Sequence, residues 1–159
     1  MSKISDEIEI YTDGSYIKNK KQIKCGYGVH FPNKEYKEIA RQFKYEPITN
    51  NRAELYAILK AIILSNKVNE ERKESKLKKI KKITIYSDSE YSVKSLTIWY
   101  KNWIKSGKEY LNKDIIDLIL EVINKVDFKV NIKHVRAHSG IEGNEKADAL
   151  AKKGANKTP

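Results

Sequence analysis

Four carboxylates stand where they could share one chemistry: Asp13, Glu54, Asp88 and Asp148. Asp13 follows a β-prone run, Glu54 falls in the first turns of a helical pattern, Asp88 follows a second β-prone run, and Asp148 lies in the last helical pattern. In sheets joined by crossover helices, ligands collect beyond strand ends, so Asp13 and Asp88 come side by side if their strands are neighbours. Helices packed across that sheet would bring in Glu54 and Asp148. Carboxylates at that range repel and raise one another's pKa unless a divalent cation compensates them. Oxygen-only ligands of this kind favour Mg²⁺ or Mn²⁺ over Zn²⁺, and no Cys/His cluster competes. Each acid also has an ordinary local explanation. Asp13-Gly14 can be a turn, Asn51-x-x-Glu54 a capping box, Asp88 part of a helix cap and Asp148 a surface helix residue. Only the constellation outweighs those explanations.

The elements that must position these acids are legible in the apolar pattern. Ile4 to Thr12 alternates in part and reads as a strand ending in the turn signal Asp13-Gly14-Ser15. Cys25 to Phe31 and Tyr36 to Phe43 are two more β-prone runs that form a hairpin around Pro32-Asn33, and Pro47 closes that unit. Thr49-Asn50-Asn51 opens a helix with Leu55, Ile58, Leu59 and Ile62 at helical spacing. The polar stretch from Asn66 to Lys82 either extends this helix or forms a charged excursion. Ile83 to Tyr86 is a fourth strand, and Ser87-Asp88-Ser89-Glu90 has the form of a capping box that starts another helix. A helical piece through Trp99 and Trp103 runs to Ser106-Gly107. Asp114 to Val126 is an amphipathic helix, Val130 to Val135 a fifth strand, and a last helix begins near Gly143 with Ala147, Leu150 and Ala151 on one face. The order βββαβααβα, an antiparallel start followed by crossovers, predicts a mixed α/β domain: a five-stranded sheet flanked by helices.

The chain has 159 residues, 40% of them hydrophobic, enough for one domain with its own core. Its single cysteine, Cys25, excludes an internal disulfide and fits a reducing compartment. The opening Met1-Ser2-Lys3-Ile4-Ser5-Asp6-Glu7 lacks the apolar run of a secretory signal, and no apolar stretch approaches the roughly 20 residues that cross a bilayer. The expectation is an intracellular protein, in cytoplasm or nucleus, without a membrane partner. A net charge of +11 suits a polyanion partner. The charge is concentrated in residues 18–24, 66–82 and 94–113, which together exceed the net charge of the whole chain.

Four segments carry a family resemblance: Tyr11-Thr12-Asp13-Gly14-Ser15; Thr49-Asn50-Asn51-Arg52-Ala53-Glu54-Leu55; Ser87-Asp88-Ser89; and His138-Ser139-Gly140-Ile141-Glu142-Gly143-Asn144-Glu145-Lys146-Ala147-Asp148. In this order they resemble the successive signatures of type 1 ribonuclease H, and the resemblance covers nearly the whole chain. It implies a hydrolase, an endonuclease that cleaves the RNA strand of RNA/DNA hybrids by a two-metal mechanism and leaves 5′-phosphate and 3′-hydroxyl ends. The implied cofactor is two Mg²⁺ ions, with Mn²⁺ as a possible substitute; the implied partner is the hybrid duplex, bound by a monomer. Carried over, Asp13 bridges both ions, Asp148 helps hold the ion that activates water, and Glu54 and Asp88 hold the ion at the leaving oxygen. His138 assists proton transfer or product release. Asn19, Asn50 and Asn51 match positions that read the minor groove and the RNA 2′-hydroxyls. Thr49 and Asn112 match positions that grip a DNA-strand phosphate. Trp103, with Lys101 and Lys105, forms a ridge against the DNA strand, while Trp99 is assigned to packing.

Several departures from the family pattern carry expectations of their own. The segment from Trp103 to Asn112 is shorter than the basic protrusion of familiar bacterial members, and Pro47 replaces an Arg found near the phosphate pocket of many relatives. The Glu54-to-Asp88 interval is longer than usual, and Lys76, Lys78 and Lys79 within it are expected to supply compensating phosphate attraction. Because Asp13 comes early, residues 1–159 are read as a single catalytic domain with no amino-terminal hybrid-binding module. His30 and His134 are read as structural. Two alternatives stay open: a catalytically silent hybrid-binding module, against which all four acids argue, and another enzyme on this fold, such as a transposase, integrase or junction resolvase, against which Asn50-Asn51 and the His138 loop argue.

Overall fold

The middle of the protein is a pair of parallel strands whose buried apolar positions are all isoleucine. A computed structural model describes residues 4–157. In it β1 (Glu7–Asn19) runs parallel to β4 (Lys82–Ser87), and Ile8, Ile10, Ile83 and Ile85 are wholly buried between helical layers. Each such side chain contributes about 1.5–3 kcal/mol on burial. β2 (Gln22–His30) and β3 (Ile39–Gln42) extend the sheet antiparallel on one side, and β5 (Lys129–His134) extends it parallel on the other. The strand order is β3-β2-β1-β4-β5, the mixed five-stranded sheet that the element order predicts.

Helix α1 (Asn50–Glu74) packs on β1 and β2 and against α4 (Lys113–Lys125). The opposite face of the sheet is covered by α5 (Glu142–Ala155). Between β4 and α4 lie α2 (Glu90–Lys94), a π turn (Ser95–Trp99) and α3 (Tyr100–Ser106), which form one interrupted helix closed by Gly107 in the left-handed conformation. Among the described residues no helix is long and apolar enough to cross a membrane.

Three expectations are corrected. First, Asp13-Gly14-Ser15 is not a turn. β1 continues to Asn19, because its second half pairs with β2 from Tyr11↔His30 to Asn19↔Gln22. The hairpin turn comes only there, with Asn19 Oδ1 accepting from the backbone N–H groups of Lys21 and Gln22 at 3.4 and 3.1 Å. Second, neither expected capping box forms. Thr49 caps α1 by accepting from Arg52 N–H at 3.1 Å, and Ser89 caps α2 by accepting from Ser92 N–H at 3.1 Å. Glu54 and Asp88 are therefore not occupied in capping. Third, the 66–82 stretch divides: α1 absorbs it to Glu74, and a turn with Lys76 at φ 55 leads back to β4.

Candidate active site

Parallel pairing of β1 with β4 ends at Thr12↔Ser87. The next residue on each strand is an acid, so Asp13 and Asp88 emerge side by side where ligands gather in such sheets. Gly14 lets α1 approach: a Cβ there would lie 2.7 Å from Glu54 N and 2.9 Å from Ala53 C. The same contact aligns Glu54, whose Oε1 accepts from Gly14 N–H at 2.5 Å. Carboxylate oxygens of Asp13, Glu54 and Asp88 lie within 4.8 Å of one another. On the other face, a Cβ at Gly28, the pairing partner of Asp13, would lie 2.6 Å from Ala147 O and 2.7 Å from Ala151 N. That close seating of α5 brings Asp148 to Asp13, with Lys152 Nζ 3.0 Å from the Asp148 carboxylate.

Burial is the main force on these acids. It pushes the Asp13 pKa up to about 8; the charges of Asp88 and Asp148 add to the rise, and a hydrogen bond with Glu54 opposes it. Glu54 is raised well above its ordinary value, first by burial and then by Asp13 and Asp88, against the opposing Gly14 N–H. The cluster is thus a concentrated, desolvated negative charge with oxygen donors only, the donor set of a hard divalent cation.

Two residues before Glu54 on α1 lies a second buried charge. Arg52, 2% exposed, makes a bidentate pair with Asp114, both N–O distances 2.8 Å, and donates to the Glu46 carbonyl at 3.1 Å. It also joins the two residues expected to grip phosphate. Its backbone N–H is held by Thr49, and its Nη1 donates to Asn112 Oδ1 at 3.4 Å. Asn112 is left-handed at φ 61 and donates from Nδ2 to the Tyr91 hydroxyl at 3.0 Å.

The chain matches the family described as RNase H over residues 5–156. It is 38% identical to a ribonuclease H of Schizosaccharomyces pombe over 95% of this chain and 54% of that protein. It is 36% identical to a ribonuclease H of Haemophilus influenzae over 94% of this chain and 90% of that protein. The chain belongs to the RNase H family. This RNase H domain spans about half the length of the fission-yeast relative. Its fold is similar to the foamy viral protease-reverse transcriptase solved in complex with an RNA/DNA hybrid, with TM-score 0.70 and 19% identity over 95% of this chain and 20% of that one.

The remaining expected site residues lie on α1, on α3 and in the loop between β5 and α5. Asn50 and Asn51 open α1, one turn before Glu54. His138 is exposed in the loop between β5 and α5, at φ 53, and the neighbouring Ser139 hydroxyl donates to the Arg136 carbonyl at 2.7 Å. Lys101 and Lys105 are exposed on α3. The assignment of the two tryptophans is reversed in exposure. Trp99 is the exposed ring at 36%, whereas Trp103 is half-buried, stacked on Tyr110 with ring centroids 4.8 Å apart and packed against the core. The π turn Ser95–Trp99 ends at the first of them and shifts the phase of the helix against its earlier part, so the apolar spacing before it does not predict which of the two faces in.

Lys76, Lys78 and Lys79 also stand elsewhere than expected. Their turn adjoins the amino-terminal ends of β1 and β4, where Lys81 N–H donates to the Asp6 carbonyl, while the acids lie beyond the carboxyl-terminal end of β4. Sequence reasoning assigned no role to Arg52, Asp114, Tyr45 or Tyr91. A signal was available for the first: the chain uses only four arginines against 28 lysines, and Arg52 and Arg72 are the two it buries. Planar bidentate pairing is what an arginine offers and a lysine does not.

Proposed function

We propose that this chain hydrolyses the RNA strand of RNA/DNA hybrids endonucleolytically, leaving 5′-phosphate and 3′-hydroxyl ends, with two Mg²⁺ ions as cofactor and Mn²⁺ able to substitute. The observation that carries this reading is the convergence of Asp13, Glu54 and Asp88 within 4.8 Å, in a chain of the RNase H family. Such a set, without metal, repels the phosphate that it must process. Bound divalent cations would supply the missing positive charge to the entering and leaving oxygens of an in-line displacement.

The chain's own groups do the rest. Asp13, Glu54 and Asp88 bind metal, with Asp148, half-buried on α5, as the fourth ligand. The Gly14 N–H fixes one Glu54 oxygen, so the other is presented to the shared site. Asn19, Asn50 and Asn51 hydrogen-bond the minor groove and the 2′-hydroxyls, which distinguishes RNA from DNA. Thr49 and Asn112, held as a unit by Arg52, grip a phosphate of the DNA strand. Trp99, Trp103, Lys101 and Lys105 lie along that strand, the exposed Trp99 ring taking more of the contact. His138, on its exposed loop, carries a proton to or from the reacting oxygens.

The test is incubation with Mg²⁺ and four labelled duplexes: RNA/DNA, RNA/RNA, DNA/DNA, and DNA bearing one ribonucleotide. Cutting of the first alone is expected. Cutting beside the single ribonucleotide, or of DNA/DNA, would replace this reading with a different specificity.

A further inference from the structure

Away from the acids, the molecule carries a second concave surface, and it is basic. A groove of about 870 Å³ runs along the β3 edge and is lined by Lys37, Arg41, Lys44, Lys60 and Lys157, with Glu38 its only acid. Glu38 is turned to His30, 3.4 Å away. Lys37, Arg41, Lys44 and Lys60 make no ion pair among the described residues, whereas Lys73, Lys78, Lys81, Lys82, Lys94, Lys113, Lys125, Lys146 and Lys152 all do. The groove therefore collects four uncompensated cations in one depression.

The groove also holds aromatic rings. Tyr45 is 42% exposed at its rim, and Tyr56 lies behind it with ring centroids 6.4 Å apart, propped in turn on Tyr27 and Phe43. Unpaired cations beside an exposed, buttressed ring are what a single-stranded nucleic acid uses, its phosphates meeting lysines and a base stacking on the ring. An added peptide strand is disfavoured here. The Lys157 ammonium donates to the Ala40 carbonyl, and the Gln42 side chain donates to the Lys157 carbonyl at 2.6 Å, so Lys157 covers the β3 edge.

Tyr45 links this groove to the phosphate grip. Its ring lies 5.0 Å from the guanidinium of Arg52, whose Nη1 donates to Asn112 and whose backbone N–H donates to Thr49. We infer that the β3-edge groove binds a single-stranded extension of the DNA strand, continuing from the hybrid held at Thr49 and Asn112. The inference rests on the proposed hybrid specificity, so its test has one arm in cleavage and one outside it.

In the cleavage arm, wild type and Lys44→Gln/Lys60→Gln are compared on a blunt hybrid and on hybrids whose DNA strand extends twelve nucleotides in either direction. Wild type is expected to show about a 3- to 10-fold lower KM for one extended hybrid, consistent with two phosphates and one stacked base. The variant should lose that advantage while its kcat and its KM for the blunt hybrid stay within about twofold. No advantage for either extension, or an equal KM rise on blunt and extended substrates, overturns the inference. If wild type cuts neither substrate, the hybrid reading itself has failed.

The second arm then decides the groove alone, by anisotropy of labelled dT12 in EDTA. Lys44→Gln/Lys60→Gln should weaken binding at least about fivefold and flatten the salt slope by about 1.4, from about 0.7 for each of two phosphates no longer neutralised. Tyr45→Ala should weaken dT12 but not inorganic polyphosphate, and Tyr45→Phe should restore it. An unchanged slope, or an equal effect of Tyr45→Ala on polyphosphate, overturns the assignment to single-stranded nucleic acid. Because these lysines make no ion pairs in the structure, an unchanged thermal midpoint is expected for the double variant.

Discussion

Arg52 and Glu54 are two residues apart near the start of α1, both are buried, and both carry charge, yet they belong to opposite kinds of assembly. The charge of Arg52 is answered by Asp114, a bidentate pair through Nη1 and Nη2 that holds Asp114 down to a pKa of about 2, with only the buried Nε left without a partner. Glu54 faces Asp13 and Asp88, acids of its own sign, and both it and Asp13 are driven upward. The first assembly is finished by protein atoms and contributes to stability. The second is unfinished without a cation, and its cost to the metal-free fold is the mark of a site kept for function.

The largest expected effect breaks the unfinished assembly. Asp13→Asn should reduce hybrid cleavage by roughly three orders of magnitude or more, about 4 kcal/mol in the barrier, because it removes the acid that Glu54, Asp88 and Asp148 all face. In the same variant the metal-free thermal midpoint should rise, since a neutral amide ends the like-charge repulsion. A lowered midpoint would mean that the cluster is not strained without metal.

Breaking the finished assembly should do the reverse. Asp114→Ala leaves a buried guanidinium unanswered and should cost about 2–3 kcal/mol in urea unfolding, below the usual range for buried pairs because Asp114 is 46% exposed. Activity per folded molecule should fall far less than in Asp13→Asn, through a loosened Thr49–Asn112 grip seen as a raised KM.

The two assemblies also titrate with opposite signs. Asp13 is raised from an ordinary 3.8 to about 8 in the folded, metal-free protein. Between those values the unfolded chain has lost a proton that the folded one keeps, so the stability of the metal-free protein falls as pH rises from 4 to 8. Asp114, lowered to about 2, contributes stability that is present above pH 4 and lost as pH falls towards 2. Thermal melts in EDTA at pH 5 and pH 8 should show the higher midpoint at pH 5. Added Mg²⁺ should raise the midpoint more at pH 8, where the cluster is ready to ionise. Equal Mg²⁺ shifts at both pH values would detach the cluster from metal binding.

How much of this was legible in the sequence depended on whether the decisive contact was local. The five strands and their order follow from apolar periodicity, and the acids stand out because they adjoin those runs. Asp13-Gly14-Ser15 misleads because turn chemistry is a local preference, overridden here by nine paired positions between β1 and β2. The Gly14 that suggested a turn is instead needed for the approach of α1. The capping boxes fail for a similar reason: the helices start at a different residue, so Thr49 caps α1 two residues before Asn51 and Ser89 caps α2 two residues after Ser87, each on its own set of backbone N–H groups. The relative exposure of Trp99 and Trp103 is not legible because the π turn ending at Trp99 shifts the helix phase, and the Arg52–Asp114 pair is invisible because its partners lie 62 positions apart.

His138 occupies a middle ground between the two assemblies, exposed and bonded to neither. His138→Ala should slow turnover by about 10²-fold, the lower end for a lost proton carrier. The Mg²⁺-dependent rise in thermal midpoint should be unchanged. A lost Mg²⁺ shift would place His138 with the metal ligands instead.

The smallest effect is expected where charge is most abundant. Lys76, Lys78 and Lys79 sit at the amino-terminal end of β4, six residues and roughly 20 Å along the strand from the acids. Lys78 already faces Asp6 at 3.7 Å, and the turn is fastened by the buried Arg72, which donates to the Ser5 carbonyl at 2.7 Å. That distance exceeds the screening length of about 8 Å at physiological salt. The triple change to Gln should therefore leave the salt slope for hybrid binding within about 0.5 of wild type, less than one phosphate contact. Lys44→Gln/Lys60→Gln, with fewer charges removed, should change the slope for an extended hybrid by more. If the triple variant flattened the slope instead, hybrid would have to reach the far end of the sheet, and position relative to the acids would no longer decide which lysines matter.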